Sequence, residues 1–310
     1  MKEYPMTFNQ FTLQFASEKQ CQDYLYELRF PNGFVCPKCL HTKSWLRSNG
    51  LYECEKCKHG TSVTAGTIFQ DTRKPLKDWF IAIWWLTTQK YGASAEGLQQ
   101  VLGLKKYETA WTWLHKIRTA MVVPNRTKLS GIVEVDETLI GGAATGKRGR
   151  GAENKVLVAI AVELVGKKLG RARISMIKDA TKESLHSFIK ENIEVKSKLI
   201  TDNWSGYFGI ENEGYSREIY NQSKAENDDD LLPHVHLIIS LLKRWLLGTH
   251  HGAVEEKHLQ AYLDEYVFRF NRRTSSKRGL LFYRLLENAM VVSPTTYRNI
   301  VDKPLPQSSG

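Results

Sequence analysis

Four of the five cysteines in this sequence are spaced as metal ligands. Cys36, Cys39, Cys54 and Cys57 form the pattern C-x2-C-x14-C-x2-C. Two CxxC knuckles joined by a short hairpin can bring four thiolates around a tetrahedral zinc ion, and four protein ligands leave the metal no open position for catalysis. The alternative is a pair of disulfides, which are rare in intracellular proteins. We therefore predict a structural zinc site.

Two aspartates could support a different chemistry, the cleavage and rejoining of a phosphodiester. Asp136 lies in the alternating run 132–138, and Asp202 ends the short apolar run that starts at residue 198. Attack on a phosphodiester requires charge neutralisation at the phosphate and an activated oxygen nucleophile, and two divalent cations held by carboxylates provide both. On its own, Asp202 could equally be a turn residue at a strand end. Taken as a pair, Asp136 and Asp202 are interpreted as ligands of hard divalent cations.

Clusters of basic residues lie in two other places. A glycine-rich loop carries Lys147, Arg148 and Arg150, which could follow a DNA backbone or serve only to keep a hairpin loop soluble. Arg272 and Arg273 interleave with aromatic residues, some of which must be core, and their charges suit phosphate contacts. We expect both clusters to contact DNA.

The overall composition favours a polyanionic partner. Among 310 residues, 44 Lys and Arg stand against 33 Asp and Glu, a net charge of +11. The 42% hydrophobic content can form a sizeable core, which excludes wholesale disorder. The longest apolar stretches fall far short of the ~20 residues that a bilayer requires, and the sequence does not begin with a signal-peptide pattern. We expect a cytoplasmic protein with no membrane partner.

The elements of the first 126 residues are a helix, the cysteine hairpin and a helical region. Residues 18–28 predict a helix, and residues 44–53 predict the two strands and turn of a zinc ribbon. Residues 76–89 predict an apolar helix. Short and longer helices at 98–102 and 107–121, separated by a turn at Gly103, match the outline of a helix-turn-helix. We therefore divide this part into an N-terminal helix and ribbon, 1–70, and a DNA-binding region, 71–126.

The pattern changes after residue 130 to three strands, a helix and a strand. The strands are predicted at 132–138, 155–165, 172–177 and 198–202, and the helix at 182–194. This order predicts an α/β protein with an RNase H-like domain, a mixed sheet with flanking helices, over residues 127–292 and a tail over 293–310. In that fold the first and fourth strands are neighbours, so Asp136 and Asp202 should lie close together.

Three blocks of sequence resemble the catalytic motifs of bacterial insertion-sequence transposases with an N-terminal zinc ribbon. The blocks are residues 133–142, 201–207 and 240–273, and the resemblance extends over nearly the whole chain. It implies a DDE-type recombinase that cuts and joins the ends of its own element with Mg²⁺ or Mn²⁺. Its expected partners are DNA, as terminal inverted repeats and target, and further copies of the chain. The expected location is the bacterial nucleoid.

The third catalytic position departs from the simplest pattern of that family. The resemblance places the third metal ligand four residues before Ser240, and this residue is His236 rather than a glutamate. His236, Ser240 and Lys243 share one helix face, so Lys243 should also face the aspartates. We expect Lys243, with Arg244, to contact DNA phosphates. Neutral imidazole is softer than a carboxylate and favours Mn²⁺ over Mg²⁺.

Other assignments of the third ligand remain open. His234 lies elsewhere on the helix and is a weaker candidate, and Glu137 should point to the face of the strand opposite Asp136. The site could also lack a third protein ligand. The acidic alternatives are Glu226, Asp228, Asp229, Asp230, Glu255 and Glu256.

We predict a transposase, with two alternatives. The first alternative is a non-catalytic DNA-binding regulator that uses the ribbon and the helix-turn-helix and derives from a transposase; the non-carboxylate third position favours it. The second is an RNase H-like nuclease that acts on RNA or on junctions without needing terminal repeats.

Overall fold

A computed structural model describes residues 3–89, 92–123, 126–141, 155–166, 168–220, 232–250 and 254–302. The chain divides into two compact units, one of residues 1–123 and 275–300 and the other of residues 124–274 and 301–310. Residues 275–292, which the sequence analysis placed in the last domain, pack within the first unit. Within the described ranges, every helix is too short or too polar to cross a bilayer.

The elements of the second unit lie between two parts of the chain that belong to the first unit. In the first unit the elements are α1 (Phe8–Gln14), α2 (Glu18–Arg29), β1 (Ser44–Leu46), β2 (Tyr52–Cys54), β3 (Gly60–Thr61), α3 (Leu76–Thr88), α4 (Ala95–Leu102) and α5 (Tyr107–Thr119). In the second they are β4 (Ile132–Gly141), β5 (Lys155–Val165), β6 (Lys168–Met176), α6 (Lys182–Asn192), β7 (Lys198–Thr201), β8 (Ser216–Ile219), α7 (Pro233–His250) and α8 (Glu256–Phe270). The chain then forms α9 (Arg278–Val291), which belongs to the first unit, and α10 (Tyr297–Asp302).

Aromatic side chains build the core of the first unit. Phe11 of α1 packs edge-on against Phe282 of α9, and Phe80 of α3 packs between Phe15 and Phe282. The α3 aromatic residues Trp79, Phe80 and Trp84 are buried. They are therefore core residues and not a platform for stacking on nucleic acid.

In the predicted helix-turn-helix segment, the second helix is exposed only at its beginning. Ser94 caps α4 by accepting a hydrogen bond from the Gly97 N–H at 3.0 Å. Gly103 ends α4 in the left-handed conformation at φ 60°, which glycine adopts at little cost. From Thr109 onwards α5 is buried or half-buried, and its buried Trp113 stacks on Trp79 with ring centroids 4.0 Å apart. The first turn of α5 is exposed, as in helices that present their N-terminal residues to a DNA groove.

The second unit is organised around a five-stranded mixed sheet in the order β6-β5-β4-β7-β8. The central strand β4 pairs antiparallel with β5 along its whole length and parallel with β7. The predicted order of three strands, a helix and a strand is therefore confirmed, as is the RNase H-like arrangement in which the first and fourth strands are neighbours. The edge strand β8 was not predicted.

Each face of the sheet packs against different helices. Val133 and Val135 belong to the core with α6, whereas Ile140 and the β5 residues Val158 and Ile160 belong to the core with α7 and α8. Side chains alternate between the faces of a strand. The even-numbered residues of β4 therefore face α7, and these include Asp136.

Candidate functional site

The four predicted zinc ligands converge in the ribbon. The sulfur atoms of Cys36, Cys39, Cys54 and Cys57 all lie within 4.8 Å of one another. The closest pairs are Cys36–Cys57 and Cys39–Cys54, each at 3.6 Å, so sulfurs from different knuckles meet. All four are free thiols rather than disulfides. Four converging sulfurs are the donor set of a structural zinc ion.

The two knuckles have the same local geometry. In each, the N–H of the first cysteine donates to a carbonyl five residues later at 2.9 Å, to His41 in one knuckle and His59 in the other. In each, the residue after the second cysteine is left-handed, Leu40 at φ 61° and Lys58 at φ 59°. This turn aims backbone N–H groups at sulfur. Burial acts to raise the pKa of the Cys36 thiol, but N–H groups of its own knuckle lower it to about 7, which favours the thiolate that binds metal.

The two predicted catalytic aspartates lie at the same level of neighbouring parallel strands. The last pair in the register between β4 and β7 is Glu134 with Ile200. Asp136 lies two residues after Glu134, and Asp202 lies two residues after Ile200. Both aspartates are therefore on the face of the sheet that packs against α7. Asp202 stands just beyond the end of β7, where its Oδ1 accepts a hydrogen bond from the Trp204 N–H at 3.0 Å. It is therefore a strand-end residue that also lies beside the central strand.

The predicted third residue, His236, contacts Asp136 directly. Its Nε2 lies 3.3 Å from the Asp136 Oδ2. Burial raises the pKa of Asp136 to about 6, with a further increase from the negative charges of Glu137 and Asp202 and an opposing effect of His236. The carboxylates are therefore crowded enough to oppose each other's ionisation. A bound cation would relieve that repulsion, as expected of a metal site.

The donor set of Asp136, Asp202 and His236 suits a divalent cation, although the three side chains do not meet at one point. Two carboxylates and an imidazole are ligands that Mn²⁺ accepts, and Mg²⁺ accepts the carboxylates. Within the described part of the chain, the four cysteines form the one group of three or more candidate ligands close enough to share an ion. Asp136, Asp202 and His236 are thus near one another without converging on a single point.

The other predicted roles in this region can be compared with the observed contacts. Glu137 points away from Asp136, as expected, and accepts a hydrogen bond from the buried Tyr207 hydroxyl at 2.7 Å. Burial and the charge of Glu137 raise the pKa of Tyr207 well above its ordinary value, so it remains a donor. Lys243 lies on the α7 face of β4, where its Nζ donates to the Thr138 Oγ1 at 2.9 Å.

Those alternative third ligands that fall within the described residues do not lie beside the two aspartates. Glu255 is exposed and forms an ion pair with Lys257 at 2.9 Å. Glu256 lies at the exposed start of α8. Glu226 and Asp228–Asp230 fall outside the described residues. His234 contacts Glu134 instead of Asp136, at 2.6 Å.

The predicted DNA-binding arginines differ in how they are held. The guanidinium groups of Arg272 and Arg273 each lie 4.0 Å over the ring of a phenylalanine on α8, Phe268 and Phe270. Arg273 also donates to the Gly170 carbonyl at 3.1 Å, which ties the end of α8 to β6. Arg244 is exposed on α7. Lys147, Arg148 and Arg150 lie outside the described residues.

Sequence reasoning missed two residues that support this region. Arg217 of β8 donates to the Thr201 Oγ1 at 2.8 Å and to the Asp202 carbonyl at 2.9 Å, so it holds the end of β7 in place. Glu134 holds the beginning of α7 through three contacts. For Glu134 the available signal was a charged residue at an inward-facing position of a predicted strand; for Arg217 there was none, because β8 was not predicted.

Two family models match the chain. One, described as an ISXO2-like transposase domain, matches residues 128–271. The other, described as a transposase zinc-ribbon domain, matches residues 16–60. The first match contains Asp136, Asp202 and His236, and the second contains the four cysteines.

Individual proteins give weaker likenesses. An uncharacterized protein in the transposable element ISH50 of Halobacterium salinarum is 25% identical over 288 residues, which cover 86% of this chain and 94% of that protein. The Mos1 strand transfer complex aligns with 72% of this chain and 80% of its own, at 12% identity and a TM-score of 0.28. The Drosophila P element transposase strand transfer complex aligns with 71% of this chain and 65% of its own, at 11% identity and a TM-score of 0.28. These TM-scores are too low to support the fold, which rests on the strand order.

Proposed function

The chain belongs to the insertion-sequence transposases in which a zinc ribbon precedes an ISXO2-like transposase domain, and we propose that it cleaves and joins DNA strands at the ends of its own element. The observation that carries this proposal is the position of Asp136 and Asp202 at one level of two neighbouring parallel strands, with His236 of α7 against Asp136. Carboxylates on rigid strands are suited to hold catalytic cations.

In the proposed site, Asp136 and Asp202 hold divalent cations and His236 supplies a further ligand. When bound, Mg²⁺ or Mn²⁺ neutralises charge at the phosphate and activates an oxygen nucleophile. Lys243, held by Thr138 on the same face, contacts a DNA phosphate. The neutral imidazole of His236 adds no negative charge to the crowded pair of carboxylates.

We assign recognition of the terminal repeats to the first unit. The zinc ion holds the ribbon, and the exposed first turn of α5, preceded by Lys105 and Lys106, enters a DNA groove. The proposed assembly contains several copies of the chain on paired element ends and target DNA.

The test is cleavage of labelled element-end DNA in the presence of Mn²⁺ or Mg²⁺. A metal ligand supplies several kcal/mol of charge stabilisation, so Asp136→Ala and Asp202→Ala should each lower the rate by about a thousandfold. A gel-shift measurement should show that both variants still bind the DNA. Glu191→Ala, an exposed carboxylate of the same unit, is the control and should cleave like the unaltered protein. Full activity in either aspartate variant would contradict the proposal.

The same assay tests the regulator alternative. Its support is the imidazole in place of a third carboxylate and the open arrangement of the three side chains. A regulator would bind element ends tightly without divalent cations and would cleave nothing, even in Mn²⁺.

A further inference from the structure

Glu134 is a buried carboxylate on the face of β4 that also carries Asp136. Only 3% of its surface is exposed. Its Oε2 accepts hydrogen bonds from the backbone N–H groups of His234 at 3.0 Å and Val235 at 2.8 Å. Its Oε1 lies 2.6 Å from the His234 Nδ1. Both oxygens are thus engaged by the beginning of α7.

These contacts satisfy the backbone donors at the N-terminus of α7. The first N–H groups of a helix have no partner within it. Here the first helical residue is Pro233, which has no N–H, and the N–H of His236 already donates to the Leu232 carbonyl at 3.1 Å. The two donors between them, from His234 and Val235, are the ones that Glu134 accepts. A negative charge at a helix N-terminus is also favoured by the helix dipole.

The contacts of Glu134 are followed along β4 by two further polar contacts with α7. Two residues along the strand, Asp136 meets His236 at 3.3 Å, and after two more Thr138 meets Lys243 at 2.9 Å. The order of the contacts is the same along both elements. The place where α7 begins on β4 therefore decides which α7 side chain faces Asp136.

We propose that Glu134 is a positioning residue of the active site, which fixes the first turn of α7 so that the His236 imidazole is held against Asp136. It acts through His236, because both of its own oxygens are occupied by α7 donors. Supporting residues of this kind commonly tune a metal site through its ligands. The inference rests on the proposed function, since it assigns a divalent cation to Asp136 and His236.

The test is Mn²⁺ binding to the full chain in the absence of DNA, measured by electron paramagnetic resonance. Glu134→Gln keeps the side-chain size but removes the charge and turns one acceptor oxygen into an NH₂ group that faces donors. We expect Mn²⁺ affinity to fall by about 10- to 100-fold. Glu163→Gln is the matched control, because Glu163 is also buried and accepts from a backbone N–H, that of Ser130, and from Arg171. It should lower the melting temperature and leave Mn²⁺ affinity unchanged.

A double-mutant cycle separates positioning from a general loss of structure. In a His236→Ala background, Glu134→Gln should weaken Mn²⁺ binding by less than about twofold, because the residue through which it acts is gone. An equal loss in both backgrounds would overturn the proposal. If Glu134→Gln does not fold, Glu134→Asp keeps the charge with a shorter reach and should give an intermediate loss; unchanged affinity in that variant would also overturn it.

The variant Asp136→Ala distinguishes failure of the proposed metal site from failure of the positioning role alone. If it leaves Mn²⁺ binding unchanged, the proposed metal site fails and the positioning role fails with it. If it abolishes binding while Glu134→Gln binds like the unaltered protein, only the positioning role is overturned.

Discussion

The four-cysteine site and the acidic site draw their residues from very different lengths of chain. The cysteines lie within residues 36–57, in two knuckles of identical hydrogen-bond pattern. Asp136, Asp202 and His236 are spread over residues 136–236, on β4, just beyond the end of β7 and on α7. The first site is nearly complete once a hairpin forms, whereas the second exists only after a sheet and a helix have packed.

That difference predicts different sensitivities. Removing a cysteine should destroy one site locally, because its ligands are also what hold the ribbon together. Altering the acidic site should leave the fold intact and change its chemistry, because the hydrophobic cores on both faces of the sheet hold its elements.

The largest effect is expected from Cys54→Ser. Structural zinc contributes about 10–16 kcal/mol in zinc-finger peptides, so this variant should lose zinc and unfold the ribbon. The measurements are zinc content and hydrogen exchange at the knuckle amides of Cys36 and Cys54, which should become unprotected. Cys21→Ser, at a buried cysteine outside the motif, is the control and should keep its zinc. Retention of zinc by the Cys54 variant would contradict the site.

A smaller effect is expected from pH in protein without added divalent cations. Burial, and then the charge of Glu137, raises the pKa of Asp136 from 3.8 to about 6. The folded state thus binds the proton more tightly than the unfolded state, so ionisation of Asp136 costs stability at pH 7. The cost disappears as the pH falls through 6 towards 4. It corresponds to about 3 kcal/mol.

Urea unfolding at a series of pH values tests whether ionisation of Asp136 lowers the free energy of unfolding. Asp136→Asn should be more stable than the unaltered protein at pH 7, and the difference should vanish near pH 4. Asp179→Asn should instead be less stable than the unaltered protein at pH 7, with the difference shrinking at low pH, because hydrogen bonds from Ser184 and Thr181 lower the pKa of Asp179. A difference for Asp136→Asn that does not change with pH would contradict the assignment.

The smallest effect is expected from exchanging the third ligand. His236→Glu supplies a harder oxygen ligand and should shift the ratio of cleavage rates in Mn²⁺ and Mg²⁺ by about tenfold in favour of Mg²⁺. His236→Ala should lower the rate with both ions. An unchanged ratio in His236→Glu would show that His236 does not contact the ion.

Most of the local structure could be predicted from the sequence. Residues 155–165 form one strand over the predicted range, and Ser94 and Gly103 bound α4 as their cap preferences indicate. The edge strand β8 was missed because the four residues Ser216–Ile219 are too short and too polar to show a period. Residues 275–292 were assigned to the last domain because they follow it along the chain. In the structure α9 packs against α3 and α2 of the first unit, which its position in the sequence does not indicate.

The candidate site was predictable only in part. The strand order was enough to place Asp136 beside Asp202, because adjacent parallel strands bring equivalent positions to one level. The choice of His236 came from the family resemblance. Its contact with Asp136 is observed in the structure, whereas its role as a metal ligand stays a prediction. Glu134 was missed, since nothing in the neighbouring sequence indicates that a helix 100 residues later begins on it.

By itself, the sequence determined the spacing of the cysteines, the order of the strands and the alternation that puts Asp136 and Glu137 on opposite faces of β4. These properties depend on residues close together in the chain, where period and turn chemistry act. Only the tertiary structure decided how α7 is placed along β4, and with it which α7 side chain meets each residue of the strand. That placement depends on hydrogen bonds and packing between elements far apart in sequence, which no local pattern encodes.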